Sequence, residues 1–497
     1  MIGGRCSLLG AVLRGVEAVP VNVEVSVANG LPGFFIVGMA DAAVQESRER
    51  VKAALRASGF RMPGDRIVVN LAPSSLRKTG SGFDLAIAIG ILGATQQISP
   101  EIVRGMLFVG ELSLDGSVRP VPGLLAYALR ARALGLGLAC SADAEDLVEM
   151  EDMRYYGLRT LVDLRTGEVA SIHPMPCPPR PPAADFSEVA GNEVAKRALQ
   201  IAAAGNHGVL MMGPPGSGKT MLASRIGSIM PPLGEDEKLE VALVHSVAGE
   251  DIAGFLAGER PFRAPHHSAT AAGLVGGGSP VRPGEISLAH HGVLMLDELP
   301  EFKPSVPQQL RQPLESGCIS ITRADGRIVF PARFMLVASA NPCPCGYYGD
   351  PDRPCTCTVA QVNAYQNRIG GPLMDRIDLH IDVRRVPPGQ VLSNGGGISS
   401  EELKEGVMRG REYASWRQAR YGKARGTQEV IEACRMEDDD RSFFEKMALA
   451  NRMSGRAIVR SLAVARTIAD MAQRPGVSKD DLCEALGFRL REGVGGL

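Results

Sequence analysis

Apolar and polar residues alternate from Val21 to Val27 in "VNVEVSVANG" and stop at Gly30, a period of two that predicts a half-buried strand. "DAAVQESRERVKAALRASG" changes to a helical period, with Asp41 placed to cap its start and Gly59 to stop it. A strand "RIVVNL" and an apolar helix "FDLAIAIGIL" follow. Then "LFVGELSLDGSVRPV" predicts a hairpin turning at Asp115-Gly116, and "LLAYALRARALG" another helix. These elements make an α/β unit over 1–171.

Residues 172–186, "IHPMPCPPRPPAADF", carry six prolines and can form neither helix nor central strand, so they predict a linker. A second alternating α/β region spans 187–392, and "SNGGGISS" breaks the pattern after it. The remainder, 393–497, reads as helical through "GRAIVRSLAVARTIADMA" and "KDDLCEALGFRL".

The 497 residues are 45% hydrophobic and 22% charged, the balance of an ordinary globular chain. The longest apolar runs, such as Leu85 to Ala94, fall short of the roughly 20 residues a membrane span needs. The opening "MIGGRCSLLGAVLRGVEAVPV" is interrupted by Arg14 and Glu17 and reads as the start of a domain rather than a secretion signal. Ten scattered cysteines do not make a disulfide scaffold, so a cytoplasmic home is expected. With a net charge of −1 there is no global basic field, and any nucleic acid must be held by local positive charge.

"GPPGSGKT", Gly213, Pro214, Pro215, Gly216, Ser217, Gly218, Lys219 and Thr220, lies between a strand "GVLMM" and a helix "TMLASRIGSIM". That is the setting of a P-loop, whose backbone N–H groups and helix N-terminus cradle phosphates. Lys219 would reach the β- and γ-phosphates of ATP, and Thr220 would ligate Mg²⁺. Downstream, the buried strand "GVLMLDEL" ends in two carboxylates. Asp297 fits the Mg²⁺ site and Glu298 the base that orients water. A third strand, "RFMLVASANP", places Asn341 at its end, where it can sense the γ-phosphate.

These motifs, with "RPFRAPHHS", "GEISLAHHGVLMLDELPEF", "ANPCPCG" and "GPLMDRIDLHI", resemble the magnesium-chelatase-like branch of AAA+ ATPases, and within it the YifB/ComM family, over essentially the whole chain. The resemblance implies an AAA+ core with hairpin insertions and a helical lid. It also implies that Arg376 in "LMDRIDL" projects into a neighbouring subunit's ATP site, and that Arg456 in "MSGRAIVRSL" is a second sensor arginine on the lid. A salt bridge of Arg376 to Asp375 or Asp378 is the plainer alternative. An arginine acting in trans implies head-to-tail contacts closing into a ring, six subunits in this family. The work implied is that of a DNA motor of the branch-migration helicase type, in recombination or natural transformation. The alternative is a magnesium-chelatase motor subunit driving metal insertion through a protein partner.

"LESGCISITRADGRIVFPARF" predicts a β-hairpin turning at Asp325-Gly326, with Arg323 and Arg327 flanking the turn. Related rings point such a hairpin into the pore, where these arginines would suit phosphates of single-stranded, forked or branched DNA; solvated loop charges are the plainer reading. Cys343, Cys345, Cys355 and Cys357 in "CPCGYYGDPDRPCTC" suit structural Zn²⁺, with free thiols as the alternative. The N-terminal stretches "GELSLDGSVRPVPGL" and "KTGSGFDLAIAIGIL" resemble the Lon-protease domain. Glycine stands at the expected nucleophile position in Gly80-Ser81-Gly82-Phe83, and no lysine occurs from Gly123 to Gly135. Without a Ser/Lys pair, ring assembly or DNA contact through Arg77 and Lys78 is the expectation.

Overall fold

The computed structural model describes residues 4–145, 147–166, 170–171, 184–323, 326–392, 397–423 and 426–489. Most of the linker expected at 172–186 therefore lies outside the described residues, as do Asp325 at the hairpin turn and 393–396 at the expected start of the lid.

Strands β1 (Gly4–Arg14) and β2 (Glu17–Ala28) form a long antiparallel pair, Gly10 opposite Val21 and Arg14 opposite Glu17. Beyond β2 lie β4 (Arg66–Ala72) and, at the edge, β3 (Gly33–Val37). On the other side of β1 come β5 (Met106–Phe108), β8 (Gly137–Ser141), β9 (Tyr155–Leu158) and β10 (Ala170–Ser171). The expected hairpin is the short pair β6 (Glu111–Leu112) and β7 (Val118–Arg119), its turn tied by the Ser117 N–H donating to Asp115 at 3.0 Å. The helix Ala42–Ala57 starts where expected, Asp41 accepting the Val44 N–H at 3.0 Å. The apolar helix Asp84–Ala94 has ten of its eleven residues buried against β1 and β2, which is why its sequence has no polar face.

The second sheet is fully parallel, in the order β12 (Phe262–Arg263), β15 (Val293–Leu296), β18 (Met335–Ala340), β11 (Val209–Met212), β19 (Leu379–Asp382). Its central strands are continuous apolar runs because both faces are covered. Val209, Met211, Val293 and Met295 face one core, which also contains Leu403, Val407, Leu462 and Ala465 of the C-terminal helices. Leu210, Met212, Leu294 and Leu296 face a second core with Leu274, Ile286 and Ile319. The helical region is thus not a separate body: it shares a core with one face of the sheet. The insertions occupy the other face: the pair β13 (Gly276–Gly277) and β14 (Arg282–Pro283), and the hairpin β16 (Cys318–Arg323) and β17 (Gly326–Pro331).

The C-terminal helices Ser400–Tyr421 and Gly455–Met471 are joined by a buried bidentate pair, Arg417 to Asp470 at 2.9 and 2.8 Å. The N-terminal unit docks on the unit built around the second sheet through the helix Leu124–Ala133, where Leu125 packs with Ala242 and Ile252. The Gly123 N–H donates to the Ser246 carbonyl at 2.8 Å across the same contact. Among the described residues, no helix is long and apolar enough to cross a membrane.

Candidate functional site

The 213–220 loop joins β11 to the helix Lys219–Ser224 at the carboxyl end of the parallel sheet. Gly216 and Gly218 adopt φ of +75° and +90°, which side chains resist and which turn the backbone N–H groups inward. Because β18 lies between β11 and β15, the ends of these strands bring Asn341, Asp297 and Glu298 to the loop. Lys219 Nζ donates to the Gly213 carbonyl at 2.8 Å, to the Pro214 carbonyl at 3.0 Å and to Asn341 Oδ1 at 3.3 Å. Burial lowers the Lys219 pKa, against the pull of Asp297 and Glu298, which favour its charge. Thr220 Oγ1 donates to Asp297 Oδ2 at 2.8 Å, so a hydroxyl and a carboxylate oxygen meet where Mg²⁺ would sit.

One residue of this network escapes a motif reading. Ser339, fully buried on β18, donates to Asp297 Oδ1 and accepts the Glu298 N–H at 3.0 Å. It lies two residues before Asn341, on the same strand face, and that spacing is the one signal that could have found it. Glu298 has a left-handed backbone, φ +52°, which a non-glycine residue adopts only when its surroundings impose it.

The donor set fits Mg–ATP: an ammonium, two hard oxygens and inward N–H groups. Ser217 Oγ, buried in the loop without a hydrogen-bond partner, is the kind of orphan a phosphate satisfies. Beside the loop, a cleft of about 610 Å³ is bounded by Asn192, Val386, Pro387, Gln390 and Phe488, roomy enough for a nucleoside. Asn192 Nδ2 also donates to the Ser217 carbonyl at 3.5 Å.

Arg376 and Arg456 make no described contact with this site. Arg376 Nη2 pairs with Glu315 and Nη1 donates to the Pro372 carbonyl at 2.5 Å, leaving the side chain 9% exposed. Arg456, 61% exposed, reaches the same Glu315 at 3.7 Å. The alternative partners of Arg376 are not used: Asp378 is taken by Arg460 at 2.5 Å and by the Gly208 N–H at 3.1 Å.

Comparison with known proteins agrees with this arrangement over nearly the whole chain. Residues 185–391 match the family model described as magnesium chelatase, subunit ChlI; 23–140 match subunit ChlI of Mg-chelatase, and 397–489 the ChlI C-terminal model. YifB of Escherichia coli (strain K12) is 41% identical over 484 residues, covering 96% of this chain and 95% of its own. Competence protein ComM of Haemophilus influenzae is 41% identical over 489 residues, covering 96% and 95%. The chain belongs to the YifB/ComM family. Membership of this magnesium-chelatase-like AAA+ group implies ATPase activity with ATP and Mg²⁺. The magnesium-chelatase 67 kDa subunit of Chlorobaculum parvum is 29% identical over only 162 residues, 32% of this chain and 23% of that one.

In this YifB/ComM chain the four sequence-predicted thiols converge. Cys343 and Cys345 lie 3.3 Å apart, Cys345 and Cys355 3.5 Å, Cys343 and Cys355 3.7 Å, and all four sulfurs are within 4.8 Å. Zinc–sulfur bonds of about 2.3 Å in a tetrahedron set sulfur–sulfur edges of about 3.8 Å, so the cluster fits such an ion. Backbone N–H groups of Thr356 and Tyr347 hold the Cys345 thiol down to about 5. The cluster also touches the P-loop: a Cβ on Gly346 would stand 2.6 Å from Pro215 Cδ. Glu240, His290 and His291 form another close group. There His290 Nδ1 accepts the Arg333 N–H at 3.0 Å, so Nε2 carries the proton toward Glu240 and has no lone pair for a metal.

Arg323 and Arg327 lie on opposite faces of the hairpin: Arg323 pairs with Gly326 and Arg327 with Thr322, neighbouring register positions whose side chains point oppositely. Arg327 bonds Ser320 across its own hairpin, while Arg323 lines an interdomain crevice. One sequence expectation needs correction: Lys78 is fully buried and donates to the Pro73 carbonyl, so it cannot meet DNA; Arg77, one residue earlier, is exposed. Ser81, one position off the expected nucleophile place, donates to Glu111, and the helix Leu124–Ala133 offers no lysine.

Proposed function

We propose that this chain is a ring-forming, Mg–ATP-dependent DNA motor of the branch-migration type, acting in recombination or natural transformation. The observation that carries the reading is a crevice of about 310 Å³ between the N-terminal unit and the hairpin insertion, lined by Arg14, Arg77 and Arg323. None of its described lining residues is acidic, so positive charge is concentrated there in a chain of net charge −1. The similarity to a relative named as a competence protein supports the same direction.

In this reading Lys219 and the loop N–H groups bind the phosphates, Thr220 and Asp297 hold Mg²⁺, Glu298 orients water, and Asn341 senses the γ-phosphate. Bound Mg–ATP supplies the phosphoryl group whose hydrolysis drives movement. The working divisions are a Lon-like domain lacking its dyad over 1–171, a linker over 172–186, the AAA+ core over 187–392 and a lid over 393–497. Six cytoplasmic subunits would form the ring. Steady-state ATP hydrolysis with single-stranded, forked and four-way DNA tests the proposal, and at least severalfold stimulation is expected. A rate indifferent to all three would sink it.

The chelatase alternative keeps one specific support: the N-terminal unit itself matches a model described as subunit ChlI, so its presence does not argue against metal insertion. ATPase stimulation by a porphyrin-binding protein, and not by DNA, would favour it. The thiol cluster is read as a structural zinc site bracing Asn341 and Pro215. Metal analysis of purified protein should find about one zinc per chain, and Cys343→Ser should lose it together with thermal stability. Full stability in a zinc-free preparation would rule this out.

A further inference from the structure

From Tyr413 to Gln428 the sequence carries Arg417, Arg420, Lys423 and Arg425 and no acidic residue, interleaved with Tyr413, Trp416 and Tyr421. Trp416 is the single tryptophan of the chain. The helix Ser400–Tyr421 ends in this stretch. Its Leu403 and Val407 are buried, and Arg417 turns inward to the Asp470 carboxylate at 2.9 and 2.8 Å. Trp416, about 100° around the helix from Arg417, faces solvent, and Tyr413 and Arg420 lie between the two.

The rings and guanidiniums here are arranged in advance. Tyr413 and Trp416 have ring centroids 5.2 Å apart, and Tyr421 meets Trp416 edge-on at 6.3 Å and 89°. The Arg420 guanidinium lies 5.9 Å from the Trp416 ring centre and 5.6 Å from that of Tyr421. Arg435, just past the helix Thr427–Cys434, stacks its guanidinium 3.5 Å over the Tyr421 ring. Its backbone is held in the left-handed region, φ +45°, next to buried Cys434, whose carbonyl accepts the Val477 N–H at 2.8 Å.

Trp416 and Tyr421 are nonetheless 49% and 48% exposed, and none of the three rings belongs to the core that the helix shares with the sheet. Among the described residues, neither Arg420 nor Arg435 pairs with a carboxylate. A packed core would hide these rings, and a merely solvated charged face would not carry them. Exposed rings beside unneutralised guanidiniums match a ligand that is flat and anionic along its length. An acidic polypeptide satisfies the charges and leaves the rings unused; bases and phosphates together use both.

We propose that this face binds single-stranded nucleic acid, with bases stacking on Trp416 and Tyr421 and phosphates meeting Arg420 and Arg435. It is a different place from the basic crevice. The helix Ser400–Tyr421 packs on one face of the second sheet, and the hairpin insertion that carries Arg323 packs on the other. A motor that separates strands leaves one of them outside its channel, and this face would hold that strand. The role of the strand rests on the DNA-motor reading above; the binding site does not.

The single tryptophan makes the test direct. Oligothymidylate is titrated into the full chain, with Mg²⁺ and a non-hydrolysable ATP analogue present throughout, and Trp416 fluorescence is read. Saturable quenching is expected, weakening as salt rises. Arg420→Ala combined with Arg435→Ala keeps the reporter and should raise the half-quenching concentration about tenfold. Arg77→Ala combined with Arg323→Ala, in the crevice, should leave it unchanged. Unaltered fluorescence throughout the titration overturns the site, as does a half-quenching point that only the crevice variants move. Quenching by polyglutamate and not by oligothymidylate also overturns it, and marks an acidic protein partner instead. ATP hydrolysis with forked DNA, measured alongside, separates the two readings. Stimulation without quenching removes the site and leaves the motor; quenching without stimulation removes the motor and leaves the site.

Discussion

Lys219→Ala is expected to lower ATP hydrolysis by about 10³-fold, and Glu298→Gln by a similar factor, but for different reasons. Lys219 is buried at the centre of the loop, bonded to the Gly213 and Pro214 carbonyls and to Asn341. Alanine there removes the cation facing the phosphates and leaves those acceptors unpaired, so nucleotide binding and turnover should fall together. Glu298 is half exposed and touches neither Lys219 nor Thr220, so its amide should still bind nucleotide and fail only in turnover. Fluorescent-nucleotide binding beside steady-state hydrolysis separates the two. Turnover surviving in both variants would mean that hydrolysis is done elsewhere.

What could be read from sequence was what one strand, turn or helix end specifies. The 213–220 loop and the carboxylates after β15 are local patterns, and their meeting follows once the strands are parallel. Ser339 was lost because a serine in "VASANP" reads as small strand filler; only its shared face with Asn341 marks it. Glu315 was lost for another reason. It lies 61 residues from Arg376, while Asp375 and Asp378 stood nearby and looked sufficient. Lys78 beside exposed Arg77 shows the limit of charge as a guide to exposure, because one step along an extended chain turns a side chain inward. Arg323 and Arg327 show the same parity: flanking a turn leaves open which face each side chain takes, and here they take opposite ones.

Arg376→Ala and Arg456→Ala are each expected to reduce turnover by about 10³-fold or more if these arginines complete a neighbour's ATP site, since arginine fingers contribute about 10³ to 10⁵. Both gather on Glu315, away from their own P-loop, so the transfer site within one subunit lacks them. That geometry makes a mixing experiment decisive. Lys219→Ala subunits have intact arginines and a dead loop, while Arg456→Ala subunits have an intact loop. Mixed in equal amounts they should recover about a quarter of wild-type turnover, because a quarter of randomly formed interfaces join a good loop to a good arginine. An arginine acting within its own subunit gives no recovery, since every site then carries one defect. Arg376 needs a second control because it is nearly buried against Glu315, and Arg376→Ala could act only by breaking that pair. Glu315→Gln weakens the same pair and keeps the arginine. If both variants lose thermal stability alike and turn over ATP like wild type, Arg376 is a structural ion pair and Arg456 alone serves the neighbour. If Glu315→Gln turns over ATP and Arg376→Ala does not, the guanidinium acts on the phosphates, and Glu315 holds it until a neighbour's nucleotide takes its place.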